Sequence, residues 1–452
     1  MKRSAPKFRI VASALIISAF AVFSAKAVET NLVAQQIDLA TVLKLAGAQN
    51  LDVQIARERV TEARANLEAA NWQFLPWIAP GVAYRAHDNA IQDVGGSVIN
   101  VHKDAFAVGP TIGAQVDLGD AIYKRLTAIQ LAKAAEHASA AEQADATLNA
   151  ATAYFELSRT AALIAVLDET VRISDDYARQ LESAVDAGVA FKGDALKART
   201  QAERNKIALR QAHEDQGVAG ARLAQVLHLN APIELTPRMD EFVPVTLTAT
   251  NLTLGVLVEL GLAARPELRQ SEATVAAAND VEKSAKYGPL IPSVGAQAFV
   301  GGLGGGNQNT YRGLSESEDY QITATWRIGP GGIFDRTRIR GAESRLKIAR
   351  YTSEKLRDEI VREVIEAYTR TQSETDKLAL NKRAVAAAEE SYRLARGRRD
   401  AAISSAFETI FAEQEYTRLR QDYVTSISDF NKAQYLLAHA IGQSSTGAIS
   451  QK

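Results

Sequence analysis

Cysteine is absent from this 452-residue chain, which removes disulfide staples, thiolate chemistry and a cysteine-anchored lipid. Net charge is missing as well. The 52 basic side chains nearly cancel the 53 acidic ones, leaving −1, so neither a nucleic-acid partner nor a strongly charged surface is indicated. Histidine is scarce, at positions 87, 102, 137, 213, 228 and 439, with no metal-ligand spacing among them. His87 and His102 flank one polar stretch and read as solvated side chains, with a meeting across it as the alternative. No nucleophile elbow and no paired carboxylates in a globular context occur. The sequence therefore gives no enzyme, no cofactor and no resident metal.

Long apolar runs are also missing, apart from the N-terminus. Lys2, Arg3, Lys7 and Arg9 precede an apolar stretch from Ile10 to Phe23, followed by Ala25-Lys26-Ala27. A charged start, a short apolar core and a small-x-small site read as a secretory signal peptide over residues 1–27. The run falls short of the roughly 20 residues a helical span requires.

Proline is rare and unevenly placed. None lies between Thr111 and Ala231 or after Pro330. Both reaches are filled with Ala, Leu, Glu, Arg and Gln, the strongest helix formers. Ile122 to Val185 reads as one unbroken rod of roughly 95 Å, and Asp194 to His228 as a return helix. Such alanine-rich rods suit close antiparallel packing.

What is present twice is the plan itself. Ala153-Tyr154 recurs as Ala367-Tyr368 at an interval of 214 residues, and Asp186-Ala187 recurs as Asp400-Ala401. Upstream, "NLDVQIARERVTEARANLEAANWQFLPWIAP" resembles "RPELRQSEATVAAANDVEKSAKYGPLIPSV". Each half reads helix, strand, polar loop, strand, long helix, turn, shorter helix, which indicates a duplicated unit. The first spans 28–230, with strands at 75–86 and 105–118 and a tip turn at 186–193. The second spans 256–442, with strands at 290–300 and 320–328 and a tip turn at 400–407. An irregular linker, 231–255, joins them, with a short strand expected around "VPVTLT"; residues 443–452 form a tail.

The strands carry the functional argument. In "AFAVGPTIGAQVDLG", Phe106, Val108, Ile112 and Val116 alternate with small or polar residues. Ile78, Val82 and Tyr84 do the same in the first strand, Val294 in the third, and Ile322 and Trp326 in the fourth. Each segment approaches the 9–11 residues of a tilted membrane strand, and apolar-out, polar-in alternation suits a barrel with a wet lumen. Gln115, Gln321, Thr323 and Arg327 supply the polar face. Ordinary sheet strands packed on the helices are the competing reading, but no apolar helix face remains to cover them. The intervening stretches "HDNAIQDVGGSVINVHKD" and "GLGGGNQNTYRGLSESED" read as long external loops. Four strands cannot close a barrel in lipid. Two chains would supply eight strands and three would supply twelve, the latter with room for water.

Taken in order, these features resemble the TolC-type outer-membrane efflux family. The carriers are the two repeats, the "LPWIAP" and "LIPSV" strand starts, the "VDLG" and "RIGPGG" passages into helix, the two Ala-Tyr pairs early in the long helices, and the turn "DAGVAFKGDALKAR". The resemblance implies a mixed α and β membrane protein: a homotrimer with a 12-stranded outer-membrane β-barrel continued by an α-helical coiled-coil tunnel. Its partners would be a periplasmic adaptor and an inner-membrane transporter, its cargo small toxic compounds or polypeptides. A periplasmic helical-hairpin adaptor or scaffold without a barrel is the alternative.

By the same resemblance the periplasmic end narrows at acidic side chains. Asp194 and Glu408 follow the two turns at matching places and are the pore-constriction candidates, with Arg399 as a partner for Asp194 of the neighbouring turn. Either carboxylate would equally serve to open its helix. Gly188, Val189, Ala190, Phe191, Ala402, Ile403 and Phe407 are the candidate adaptor-contact rim. The second turn departs from the family pattern. Ala402 replaces the glycine of the first, Ser404 stands where the best-known members have a locking arginine, and Arg399 where they have a tyrosine. The "IGPGGIFDRTR" stretch lacks the Gly-Lys-Ser/Thr ending of a phosphate-binding loop and reads as a joint.

Overall fold

A computed structural model of the chain describes residues 34–229, 234–247, 252–307, 310–401 and 406–443. The expected signal peptide, Ala402, Ile403, Ser404 and most of the tail lie outside the described residues. A short strand, β1 (Ala34–Ile37), leads into α1 (Leu39–Gln49) and α2 (Leu51–Trp72). A hairpin follows, β2 (Trp77–Gln92) and β3 (Val98–Asp117), then the long α3 (Leu118–Asp186) and the return helix α4 (Lys192–Val226). After β4 (Glu234–Pro237) the order recurs with α5 (Leu254–Ala264), α6 (Pro266–Tyr287), β5 (Ser293–Asn307), β6 (Thr310–Thr325), α7 (Arg336–Asp400) and α8 (Ala406–Ala440). Helices α1 and α5 both have 11 residues, α2 and α6 both 22, and α4 and α8 both 35. At 69 residues α3 is about 100 Å long.

The helix ends follow local chemistry. Asp38, Asn50, Asp117 and Asp335 each accept from backbone N–H groups of the following turn. Pro266 opens α6, where a missing N–H costs nothing. Gly188, at φ +75°, closes α3 in the left-handed conformation that a side chain resists. Composition alone lets part of α3 pass for a membrane span, yet most of that window is buried in the protein.

The four long strands form one antiparallel sheet, ordered β2-β3-β5-β6. Strand pairing runs through both stretches expected to be loops. His87 stands opposite Lys103 and Asp88 opposite His102, and only Asp93 to Ser97 turn the first hairpin. The reason is that ladder bonds are made by backbone, so strands with polar side chains pair as readily as those with apolar ones. His87 and His102 thus do not meet; His102 Nδ1 lies 3.1 Å from Asp88 instead. The fourth strand ends at Thr325, not at 328, because the chain turns through Gly329 and Gly331 to enter α7.

Two cores hold the equator. Leu43, Tyr154, Phe155, Leu157, Leu223, Leu227 and Tyr435 form one, with Phe155 packed on Tyr435 at 5.6 Å. Leu257, Leu268, Ile360, Val364, Leu437 and Ile441 form the other. The two Ala-Tyr pairs therefore sit near the middle of α3 and α7 rather than early in them, and Tyr154 and Ala367 join these cores. The linker strand is at Glu234–Pro237, paired in parallel with β1, and not at "VPVTLT". There the backbone is clasped by side chains of α8. Asn431 Oδ1 accepts from Val245 N at 2.8 Å, Asn431 Nδ2 donates to the Val243 carbonyl at 2.9 Å, and Gln434 Oε1 accepts from Leu247 N at 3.2 Å.

Candidate functional site

Two places on this frame bear on function, the sheet and the tips of the two helical hairpins. Cross-strand register settles which side chains share a face. Ile78 stands opposite Ile112, Ile112 opposite Ala298, and Ala298 opposite Tyr320. Val82 faces Val108, Tyr84 faces Phe106, and Val116 faces Val294, whose partner is Ala324. Ile322 continues this face along β6, and Trp326 stands just past the strand. Nine of the ten residues expected to meet lipid therefore lie on one side by register. Ile322 is 83% exposed, Ile78, Val82, Tyr84, Val108, Ile112 and Trp326 are also exposed, and no helix packs over them. Phe106, Val116 and Val294 are half-buried. The Phe106 ring lies over Gly304, where any Cβ would strike it.

The opposite face carries Gln115, Gly295 and Thr323 in one row and Gly113, Gln297 and Gln321 in another. Arg327 lies beyond the strand, in the joint, where its carbonyl accepts from Ile333 N at 2.9 Å. The edges of the apolar band are marked by aromatic residues with polar partners. Tyr84 Oη donates to Asp104 at 3.1 Å and Tyr320 Oη to Glu318 at 3.0 Å, while Trp326 Nε1 donates to the Leu290 carbonyl at 3.3 Å. Along β3, Phe106 to Val116 spans about 33 Å of strand, or about 25 Å of height when tilted. That is the height of a membrane barrel's apolar band.

Below the sheet the two halves meet closely. A Cβ on Gly119 would lie 2.1 Å from the Gly288 carbonyl oxygen, so the "VDLG" passage requires its glycine for this approach. The second passage is fastened differently. Asp335 accepts from Thr337 and from the N–H groups of Arg338 and Gly331, which hold its carboxyl down to about 2. Arg338 Nη2 donates to the Ser284 carbonyl at 2.9 Å.

At the far end Val189 and Phe191 of the first turn are exposed, Phe191 to 82%, with Gly188 exposed and Ala190 half-buried. Phe407 is exposed in the first turn of α8 and stacks on Phe411 at 6.3 Å. Asp194 sits in the first turn of α4 with Lys197 Nζ at 3.3 Å. Glu408 sits in the first turn of α8, 2.5 Å from Arg398 Nη2. Each candidate carboxylate thus has a basic neighbour on its own hairpin. The Arg399 guanidinium lies over the Tyr177 ring of α3, 5.2 Å from its centroid, and joins the two hairpins of one chain. Burial pushes the Tyr177 phenol up, and the Arg399 charge works against that rise.

Sequence reasoning did not find the polar ladder above this contact. Asn205 Nδ2 donates to Ser174 Oγ at 3.0 Å and reaches Glu413 Oε1 at 3.5 Å, while Gln201 Nε2 donates to Asn205 Oδ1 at 2.9 Å. The ladder ties α3, α4 and α8 together. Glu413 is only 7% exposed, and its burial pushes the carboxyl up to about 7 against the opposing Asn205 hydrogen bond. The signal was legible: Ile410, Glu413 and Thr417 stand three and four residues apart, the seam positions of a coiled coil.

A sheet with one exposed apolar side, continued by helical hairpins far longer than a compact domain needs, is the architecture of a membrane channel with a rod-like extension. The sequence profile of the family described as outer membrane efflux protein matches residues 42–227 and again 257–443. The chain belongs to the outer membrane efflux protein family, one of channels rather than enzymes. No curated protein sequence matches it. Among solved structures it is similar to the outer-membrane channel OprN, at 19% identity and a TM-score of 0.74, covering 90% of each chain. The CmeC outer membrane channel of Campylobacter jejuni gives 17% identity and a TM-score of 0.75, over 89% of this chain and 85% of that one. VceC of Vibrio cholerae gives 17% and 0.73, over 90% and 96%. At such identities the likeness shows the fold. Family and fold together make this an outer-membrane exit duct of an efflux system, with its helices in the periplasm.

Proposed function

We propose that three copies of the chain pool their sheets into one closed barrel of twelve strands, above a tunnel built from their helical hairpins. The observation that carries this reading is the sheet's pair of open edges. β2 and β6 each pair on one side only, beside an exposed apolar face, and in lipid every unpaired N–H and C=O costs several kcal/mol. The slant of the apolar band supports closure. The β2 residue in the row of Tyr320 is Ile78, six residues before Tyr84. The band's upper edge thus lies lower on β6 than on β2, as it does when strands tilt around a barrel. The matching lengths and shared order of the two halves favour their origin by duplication.

In this arrangement Asp194 and Glu408, three copies of each, line the narrow periplasmic mouth, and the Arg399–Tyr177 contact keeps the hairpins together. Gly188, Val189, Ala190, Phe191 and Phe407 form the rim that receives a periplasmic adaptor bound to an inner-membrane transporter. The cargo is small toxic compounds or polypeptides. The test is the mass of the detergent-extracted complex, measured with native mass spectrometry and with unboiled electrophoresis. A trimer that resists detergent and falls to one chain on boiling is expected. A monodisperse single chain that stays dissolved without detergent overturns the reading.

A further inference from the structure

The six histidines show no metal-ligand spacing along the chain, yet folding brings one of them against two carboxylates. Asp145 lies on α3, Glu267 in the first turn of α6 and His439 in the last turn of α8. One ligand atom from each lies within 4.8 Å of the others. His439 Nε2 is 2.8 Å from Asp145 Oδ1, so the two stand side by side and need open only slightly to reach the edge of about 3.4 Å of a tetrahedral site with bonds of about 2.1 Å. Glu267 is held in place from behind. Arg265, itself buried, gives it hydrogen bonds of 2.6 Å and 3.3 Å and also pairs with Glu363. This is the outer-shell support that a ligating carboxylate ordinarily has.

Charge and space point the same way. One guanidinium serves both Glu267 and Glu363, and Arg269, the other cation on the wall, donates to the Ala263 carbonyl. Asp145 therefore faces Glu267 across a short gap that a cation would relieve. Glu267 and His439 border an open cavity of about 310 Å³, and Asp145 adjoins it through its contact with His439. Tyr435, one turn before His439, lines the same cavity, is 2% exposed, and its hydroxyl has no hydrogen-bond partner. A buried polar atom without a partner beside such a cluster calls for a further group.

We propose that Asp145, Glu267 and His439 form a divalent-cation site of the Zn2+ class at the equator, with a water completing the shell and accepting from Tyr435. One imidazole and two carboxylates suit Zn2+ better than Mg2+ or Ca2+, which take oxygen alone. The ion staples α3, the α5–α6 corner and the end of α8, the junction where the two cores meet.

The experiment uses the full chain, extracted in detergent, purified without a histidine tag and stripped with a chelator. Titration calorimetry with Zn2+, and metal analysis after gel filtration, are expected to give one ion per chain and a raised unfolding midpoint. Co2+ as a probe should give visible absorption bands in the unaltered protein, a readout that needs no variant. His439→Gln and Asp145→Asn should each weaken Zn2+ binding by more than about tenfold. His213→Gln, on an exposed face of α4, should leave it unchanged. Absence of saturable binding at one ion per chain overturns the site. So does binding that survives both substitutions, which would make the His439–Asp145 contact a plain ion pair.

Discussion

Glu413→Gln isolates the effect of one buried carboxyl on the hairpin junction. Burial raises this group from 4.5 to about 7, so between those values the closed junction binds more protons than the opened one. Stability then falls as pH rises through that window; the penalty is absent below about 4.5 and complete above about 7. Its full size is about 3 kcal/mol, from 1.36 kcal/mol for each pH unit of displacement. Glutamine keeps the shape and the contact with Asn205 but never ionises. The assay is hydrogen exchange of the backbone amides of α4 and α8 around Asn205 and Glu413, on the intact detergent-extracted protein, with both forms compared at one pH. At pH 8 the variant should be protected more strongly, by up to about 100-fold. At pH 4 the two should agree. Equal protection at both values, or a difference independent of pH, would refute the assignment of a buried, poorly solvated carboxyl at this place.

Ile322→Lys places a charge on the face proposed to meet lipid and should cost about 2–4 kcal/mol near mid-membrane. Thr323→Lys, one residue on and facing the other way, should be tolerated; the yield of heat-modifiable protein in outer-membrane fractions measures both. Gly119→Ala drives a methyl against the Gly288 carbonyl at 2.1 Å, so the unfolding midpoint should drop, whereas Gly193→Ala, which meets nothing within 4 Å, should change little. Arg399→Ala removes the contact with Tyr177, worth about 0.5–2 kcal/mol. Single-channel conductance in planar bilayers should rise, and an unchanged conductance would detach Arg399 from closure of the mouth.

The periodicities were legible because each reports a single element. Alternation at period two placed Ile78, Val108, Ile112 and Ile322 on one face, and the register agrees. Strand ends were misjudged because polarity marks where water begins, while backbone pairing marks where a strand stops, and His87 to Gln92 pair with Val98 to Lys103 in water. The "VPVTLT" stretch looked like a strand, but its partners proved to be the side chains of Asn431 and Gln434. Nothing near residue 245 announces them. At the tip, Asp194 and Glu408 were picked out as candidates by their matching positions, whereas Tyr177 and Glu413 were overlooked because each lies on a helix face whose neighbours come from the other hairpin.

The sequence by itself determined most of the elements and which strand residues share the apolar side of the sheet, since helix propensity, alternation and glycine placement are local properties. Only the tertiary structure decided which groups meet across elements. The Arg399–Tyr177 contact, the Asn205–Glu413 ladder and the grouping of Asp145, Glu267 and His439 join residues up to 294 positions apart. Their energies depend on separation in space and on lost hydration, and neither quantity is written along a chain.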